Sequence, residues 1–150
     1  MTLDFSFLSG YMPYFFDGVK WTLIISAISV LCGVILGSIL TFMKRSKFTI
    51  FKINPLKAIA TAYIEIIRGT PMLLQILIMY AGSKMFFGID LSPFTSAVIA
   101  IALNSAAYVS EIIRAGIDSV DIGQKEAARS LGLSYKQEMF NIVLPQAIKN

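Results

Sequence analysis

From Thr22 to Met43 the chain runs for 22 residues without an Asp, Glu, Lys or Arg. A helix of that length reaches about 33 Å, enough to cross a hydrocarbon core about 30 Å thick. A soluble domain would need a polar shell to bury such a segment. With 150 residues, 56% hydrophobic and only 15% charged, this chain carries little polar surface. Its mean hydropathy is +0.72, and its apolar residues come in long blocks. The reading is an all-α polytopic membrane protein.

Composition excludes several chemistries. There is no histidine, so His-based metal sites and His-based triads are ruled out. Cys32 is the single cysteine and cannot form an intrachain disulfide. No G-x4-G-K-[ST] phosphate loop is present, so the chain does not itself hydrolyse ATP. The net charge of +4 does not indicate nucleic acid, because the cations sit beside apolar runs, where they set topology.

In chain order, the first charge is acidic, Asp4, which argues against a cleavable signal. Residues 1–19 hold Phe5, Phe7, Tyr11, Tyr14, Phe15 and Phe16 among Gly and Pro, the composition of an aromatic segment at the outer membrane surface. Residues 20–43 form the first span, anchored outside by Lys20 and Trp21. Ser29, Gly33, Gly37 and Thr41 recur every four residues, a face that lets another helix approach closely. Packing against a span of the same subunit is expected there, ahead of dimerisation.

Lys44, Arg45, Lys47, Lys52 and Lys57 come next with no acidic residue among them, so this loop should be cytoplasmic and the N-terminus outside. Asn54-Pro55 starts the next helix. Residues 56–88 hold span two, with Glu65 and Arg68 in its inner part and an interruption at Gly69-Thr70-Pro71. The run Met72 to Ala81, broken only by Gln75, should cross the core. An outer turn at 82–93 leads to span three, 94–114, which returns to the cytoplasm.

If spans two and three form a straight antiparallel hairpin centred at residues 89–90, three pairs fall at common depths: Gln75 with Asn104, Arg68 with Glu111, and Glu65 with Arg114. The charges can be gate charges, a static clamp, or i,i+3 pairs within each helix. Gln75 and Asn104, with Thr70 and Tyr108 as weaker candidates, can line a substrate path or act as interhelical hydrogen-bond glue.

Residues 118–145 are polar enough to leave the membrane. Asp121 with Gln124, and Ser134 with Gln137, have capping-box spacing and start two helices. Gly132 suits a left-handed position at the break. Pro145 should end or kink the second helix.

Glu126-Ala127-Ala128, Gly132, Ile142 and Leu144-Pro145 match E-A-A-x3-G-x9-I-x-L-P. That spacing resembles the EAA signature of the membrane permease subunits of bacterial ABC importers. Gly18 with Thr22-Leu23, Tyr63-x-Glu65-x2-Arg68-Gly69-Thr70-Pro71, Ala107-Tyr108-x2-Glu111-x2-Arg114-x-Gly116-Ile117 and Gly123-Gln124 resemble the polar amino acid branch (glutamine, histidine or arginine type). The resemblance implies a type I ABC importer permease fold, with three spans and a cytoplasmic EAA hairpin here. Two further C-terminal spans are expected in a complete version, so a chain stopping at Asn150 is expected to be a fragment.

The resemblance also implies a translocation subunit coupled to ATPase closure through that hairpin. ATPase-docking residues would be Gly123, Glu126, Ala127, Ala128, Gly132, Leu144 and Pro145. No cofactor belongs to this chain; ATP and Mg would be bound by a partner ABC ATPase subunit. The other implied partners are an extracytoplasmic amino-acid-binding protein and a second permease copy or homologous permease, all at the bacterial plasma membrane. The alternative is a non-transporting scaffold or sensor that recruits a soluble partner through the hairpin. A membrane enzyme finds no activated nucleophile or metal constellation to support it.

Overall fold

The structure is a computed structural model describing residues 8–46, 48–50 and 53–149. Asp4, Phe5, Phe7, Lys47 and Lys52 lie outside the described residues. The described chain is helical, with α1 over Leu8–Arg45, α2 over Pro55–Gly69, α3 over Met72–Phe87, α4 over Pro93–Asp118 and α5 over Ile122–Ser130. A last helix, α6, covers residues 135–149 in three continuous pieces, Tyr135–Glu138, Met139–Val143 and Leu144–Lys149.

Two helices, Gly10–Arg45 and Pro93–Asp118, are each long and apolar enough to cross a membrane; a third span exists if the bent pair α2 and α3 counts as one. α1 corrects one boundary. The sequence divides 1–19 from the span at 20–43, yet α1 runs for 38 residues without a break, through Pro13. At 1.5 Å per residue that is about 57 Å, well beyond a hydrocarbon core. The aromatics Tyr11, Tyr14, Phe15 and Phe16 are exposed on this continuous helix. Trp21 packs edge-on against Phe94 at 5.4 Å between ring centroids, joining the first half of α1 to the start of α4.

The core of the molecule is the contact between α1 and α4. Ser29 Oγ donates to the Val98 carbonyl at 3.3 Å. A Cβ added at Gly33 would stand 2.7 Å from Ser105 Cβ, and one at Gly37 would stand 2.8 Å from the Ala106 carbonyl oxygen. Thr41 Oγ1 lies 3.2 Å from the Ser110 carbonyl and 3.2 Å from its hydroxyl. The partner numbers rise together, so α1 and α4 are parallel neighbours, as two spans separated by one intervening crossing must be. Small residues recur on α4 as well: Ala102, Ala106, Ala107 and Ser110 are buried. The stripe thus packs inside its own subunit, as expected.

α2 begins as the sequence predicts. Asn54 accepts from the Lys57 amide at 2.9 Å and donates to the Ser46 carbonyl, with Pro55 at the first helical position. It ends because Pro71 lacks an N–H and pushes the residue before it out of helical conformation. Thr70 is extended, at φ −115 and ψ 142. The chain turns by 107° between α2 and α3. Span two is therefore not the straight rod assumed in the register argument, and depths counted from the turn do not carry unchanged through the bend. The outer turn also starts later than residue 82. Helix persists to Phe87, where Gly88 takes φ 66 as its left-handed terminator.

The second hairpin helix differs too. Pro145 does not end it. Helix continues to Lys149, and the missing amide of Pro145 coincides with a wider turn over Met139–Val143, which removes the ring's clash with the preceding turn.

The fold predicts a contrast between glycines. Gly37→Val drives a side chain into the Ala106 carbonyl and Val109 and should cost about 1–3 kcal/mol of stability. Gly10→Val meets nothing within 4 Å and should change stability by less than about 0.5 kcal/mol. Reversible unfolding in mixed micelles measures both; equal losses would remove the stripe from the core of the fold.

Candidate functional site

Three groups of functional side chains lie along α4. The first is at its C-terminal end. Glu111, only 17% exposed, accepts from Lys44 Nζ at 2.7 Å and from Arg114 Nη2 at 2.9 Å and Nε at 3.1 Å. Arg68 Nη1 stands 3.9 Å from the same carboxylate and lies over the Tyr108 ring at 5.5 Å. Asp118 continues the chain of charges, holding Arg114 at 3.1 Å and Arg45 at 3.2 Å. One carboxylate thus gathers cations from α1, α2 and α4.

The sequence reading pairs Arg68 with Glu111 and Glu65 with Arg114. The structure keeps the first pair, as a long contact, and not the second. Glu65 is exposed and has no ion pair among the described residues, because the 107° bend removes the straight register that would carry it to Arg114. Arg114 turns instead to its own helix, at i,i+3 and i,i+4.

Sequence reasoning misses Lys44, Arg45 and Asp118 as members of this cluster. A signal exists: the four-residue ladder Ser29, Gly33, Gly37, Thr41 reaches Arg45 in one further step, with Lys44 beside it. Reading those cations as topology determinants alone passes over it.

The second group sits at the bend. Breaking a helix leaves carbonyls without partners, which is costly where water is absent. Gln75 Nε2 answers this, lying 2.8 Å from the Ile67 carbonyl, 3.2 Å from the Thr70 carbonyl and 2.8 Å from Thr70 Oγ1. Its Oε1 accepts from Asn104 Nδ2 at 3.1 Å. Tyr63 adds a bond from its hydroxyl to the Leu103 carbonyl at 2.8 Å. Thr70, Gln75 and Asn104 therefore form one network that ties the bend to α4, the glue arrangement for Gln75. Tyr108 stands apart from it, half exposed beneath Arg68.

The third group is the hairpin of α5 and α6. Asp121 caps α5 by accepting from the Gly123 amide at 2.7 Å; a Cβ at Gly123 would meet that carboxylate at 2.8 Å. No reciprocal bond from Gln124 completes a box there. Ser134 and Gln137 do form the full capping box. Between them Gly132 takes φ 78, with its amide bonded to Arg129 O at 2.9 Å and the Leu133 amide bonded to Ala128 O at 3.1 Å, the paired bonds of a glycine-terminated helix.

The hairpin docks back on α4 through Ile117, Val120 and Val143, with Ile113, Met139, Leu144 and Ala147 packed around them. At Gly116 the helices nearly touch: a Cβ there would lie 2.9 Å from the Ala147 carbonyl oxygen. Lys125 Nζ donates to the Ile117 carbonyl at 3.2 Å, satisfying the end of α4.

Within the expected docking set, Gly123, Glu126, Ala127, Gly132 and Pro145 are exposed, whereas Ala128 is buried and Leu144 packs on the hairpin's core. Those two help shape the hairpin. Exposed apolar side chains that the motif does not include, Ile122 at 71% and Leu131 at 80%, flank Glu126.

An ion pair inside the hairpin also escapes the sequence reading. Arg129 Nε meets Glu138 Oε2 at 2.8 Å and Nη2 meets Oε1 at 3.3 Å, with Glu138 2% exposed. This fork joins the end of α5 to the start of α6. The guanidinium holds the Glu138 carboxyl below the usual carboxylate range.

Known proteins share this geometry. Residues 29–150 match the family model described as binding-protein-dependent transport system inner membrane component. The chain belongs to that family. It is similar to an arginine transport system permease protein of Bacillus subtilis (strain 168), 46% identical over 150 residues, covering all of this chain and 66% of that protein. A putative glutamine transport system permease protein of Rickettsia conorii is 42% identical over 149 residues, covering 97% of this chain and 66% of that one. An L-cystine transport system permease protein of Bacillus subtilis (strain 168) is 38% identical over 142 residues, covering 93% and 57%.

Among solved structures, an amino acid ABC transporter crystallised with histidines superposes with TM-score 0.89 at 48% identity, over 99% of this chain and 67% of that chain. A methionine ABC transporter in an inward-facing conformation, 19% identical with TM-score 0.73, shares the fold. The all-α permease fold of type I ABC importers is thereby shown, in a chain spanning slightly less than two thirds of the first of these relatives.

The ion pairs generate two predictions. In a double-mutant cycle, Lys44→Met and Glu111→Gln should couple by more than about 0.5 kcal/mol, while Glu65→Gln and Arg114→Gln should add within about 0.5 kcal/mol. Coupling between the second pair would restore the straight-hairpin register. For the hairpin, a lowered Glu138 pKa means stability that is full above the unfolded glutamate value, about 4.3, and lost as pH falls through the lower folded value. Amide protection across residues 122–149, corrected for intrinsic exchange, should therefore decline below about pH 4.3. Glu138→Gln should remove that decline; an unchanged pH profile in the variant would place its origin elsewhere.

Proposed function

We propose that this permease chain is part of the translocation subunit of an ATP-driven importer of polar amino acids. One observation carries the reading: the EAA hairpin is docked on the end of α4, through the Ile117–Val120–Val143 core and the Gly116–Ala147 approach, while residues such as Ile122, Glu126 and Leu131 stay exposed. A push on α5 from a partner would pass into α4, and along α4 into the Glu111 cluster and the bend. The relatives named for arginine, glutamine and cystine transport support the amino acid class.

In this reading an ABC ATPase subunit, holding ATP and Mg, contacts Gly123, Glu126, Ala127, Gly132 and Pro145 together with Ile122 and Leu131. Glu111, with Lys44, Arg68 and Arg114, forms the gate charges, and Glu65 contributes only from the open side of α2. Tyr108, and Asn104 through the carboxamide oxygen that the bend network does not use, are the groups left to face an amino acid in transit, since Gln75 and Thr70 are committed to the bend. An extracytoplasmic binding protein delivers the substrate, and a second permease copy or a homologous permease completes the pathway. The protein sits in the bacterial plasma membrane with its N-terminus outside and the hairpin in the cytoplasm.

The test uses a full-length permease carrying this chain, reconstituted with its ATPase and binding protein. Amino-acid-stimulated ATPase activity is expected, and Leu131→Asp should weaken ATPase binding about tenfold or more without loss of folded permease. In a Cys32→Ser background, an impermeant thiol reagent should label a cysteine at position 90 from outside and spare one at position 47. ATPase activity indifferent to every amino acid would favour the scaffold reading, and reversed labelling would overturn the orientation and the docking role with it.

A further inference from the structure

We propose that the groove between α1, α4 and α6 binds an anionic phospholipid, acyl chain inward and phosphate at its cationic rim. It is a groove of about 580 Å³ whose walls come from three separate helices. Phe42 on α1, Ile113 on α4, and Phe140 and Ile148 on α6 provide apolar walls; among the described residues, Arg45 and Lys136 are its only charged lining residues, and no carboxylate lines it. Two of its three hydroxyls are already engaged: Ser38 Oγ donates to the Val34 carbonyl at 2.7 Å, and Thr41 Oγ1 lies 2.9 Å from the Gly37 carbonyl; the third is that of Tyr135.

Position and charge select the occupant. Phe42 lies at the end of the charge-free run, and Arg45 ends α1 just beyond it, so the groove straddles the bilayer edge. Phe42 and Phe140 are each more than 60% exposed, an apolar pair that a lipid tail would cover. Arg45 gives one nitrogen to Asp118 at 3.2 Å and keeps further donors for a phosphate. Lys136 has no ion pair among the described residues. An apolar slot whose described charged lining residues are cations from two helices matches a phospholipid with net negative charge better than a zwitterionic one, whose own ammonium group would be repelled. The proposal rests on the membrane placement of the protein and not on transport.

Brominated-lipid quenching of tryptophan tests it on the intact chain. In a Trp21→Phe background, Phe140→Trp reports on the groove and Leu31→Trp reports on the exposed flank of α1. Vesicles contain equal phosphatidylglycerol and phosphatidylcholine, with one or the other brominated. The expected result is groove quenching that favours phosphatidylglycerol by about fivefold or more, equal quenching of Leu31→Trp by both lipids, and loss of the preference on adding Lys136→Gln. Equal quenching of Phe140→Trp by the two lipids would overturn the proposal. So would no quenching by either, which would mean that protein covers the groove. A Leu31→Trp probe that neither lipid quenches would sink the membrane placement itself, and the lipid site with it, whereas a failed lipid preference alone leaves the importer reading standing.

Discussion

Everything in this structure depends on how closely α1 and α4 approach. In lipid there is little hydrophobic gain from bringing two apolar helices together, so packing and hydrogen bonding must hold them. Gly33 and Gly37 remove the side chains that would separate the backbones, leaving room of less than 3 Å for a Cβ. Ser29 and Thr41 then reach backbone atoms of α4 from either end of the glycine pair. Only at this separation can Lys44 reach Glu111 at 2.7 Å, and Arg45 reach Asp118. The ion cluster is thus a consequence of the glycine stripe.

That cluster joins two parts of different character. Above it, α2 breaks at Thr70-Pro71 and the bend is stitched to α4 through Gln75 and Asn104. Below it, the hairpin is bound to α4 by a small apolar core, the Gly116 approach and Lys125 on the Ile117 carbonyl. α4 is therefore the common member of all three groups. One helix, α4, thus runs continuously from the hairpin past the Glu111 carboxylate to the bend.

The hairpin illustrates how a motif divides between shape and contact. Gly132 with φ 78 and the Ser134–Gln137 box create the break and restart of helix. Ala128 and Leu144 face inward, and the Arg129–Glu138 fork locks the two helices at their junction. Ile122, Glu126, Ala127 and Leu131 are among the hairpin residues that remain exposed. Motif letters fixed by packing and letters available to a partner cannot be separated by spacing alone, because both kinds obey the same helical period.

Local chemistry along the chain was enough to determine the helical membrane class, the starts at Asn54-Pro55 and Ser134, the left-handed Gly132, the interruption at Pro71 and the self-packing stripe on α1. Each rests on a few neighbouring residues whose backbone options are narrow: proline without an amide, glycine without a Cβ, a charge-free run that water cannot host. The Gln75–Asn104 pair was also legible, because both residues lie on the turn side of the bend, where the helices keep their antiparallel register. Only the tertiary structure decided the 107° direction taken after Thr70, the parallel partnership of α1 with α4, and hence which cations meet Glu111. A proline states that a helix must stop but leaves two dihedral angles free to aim the next helix. The choice among directions is made by distant groups, here Asn104 and the buried face of α4, whose positions no stretch of sequence near Pro71 contains.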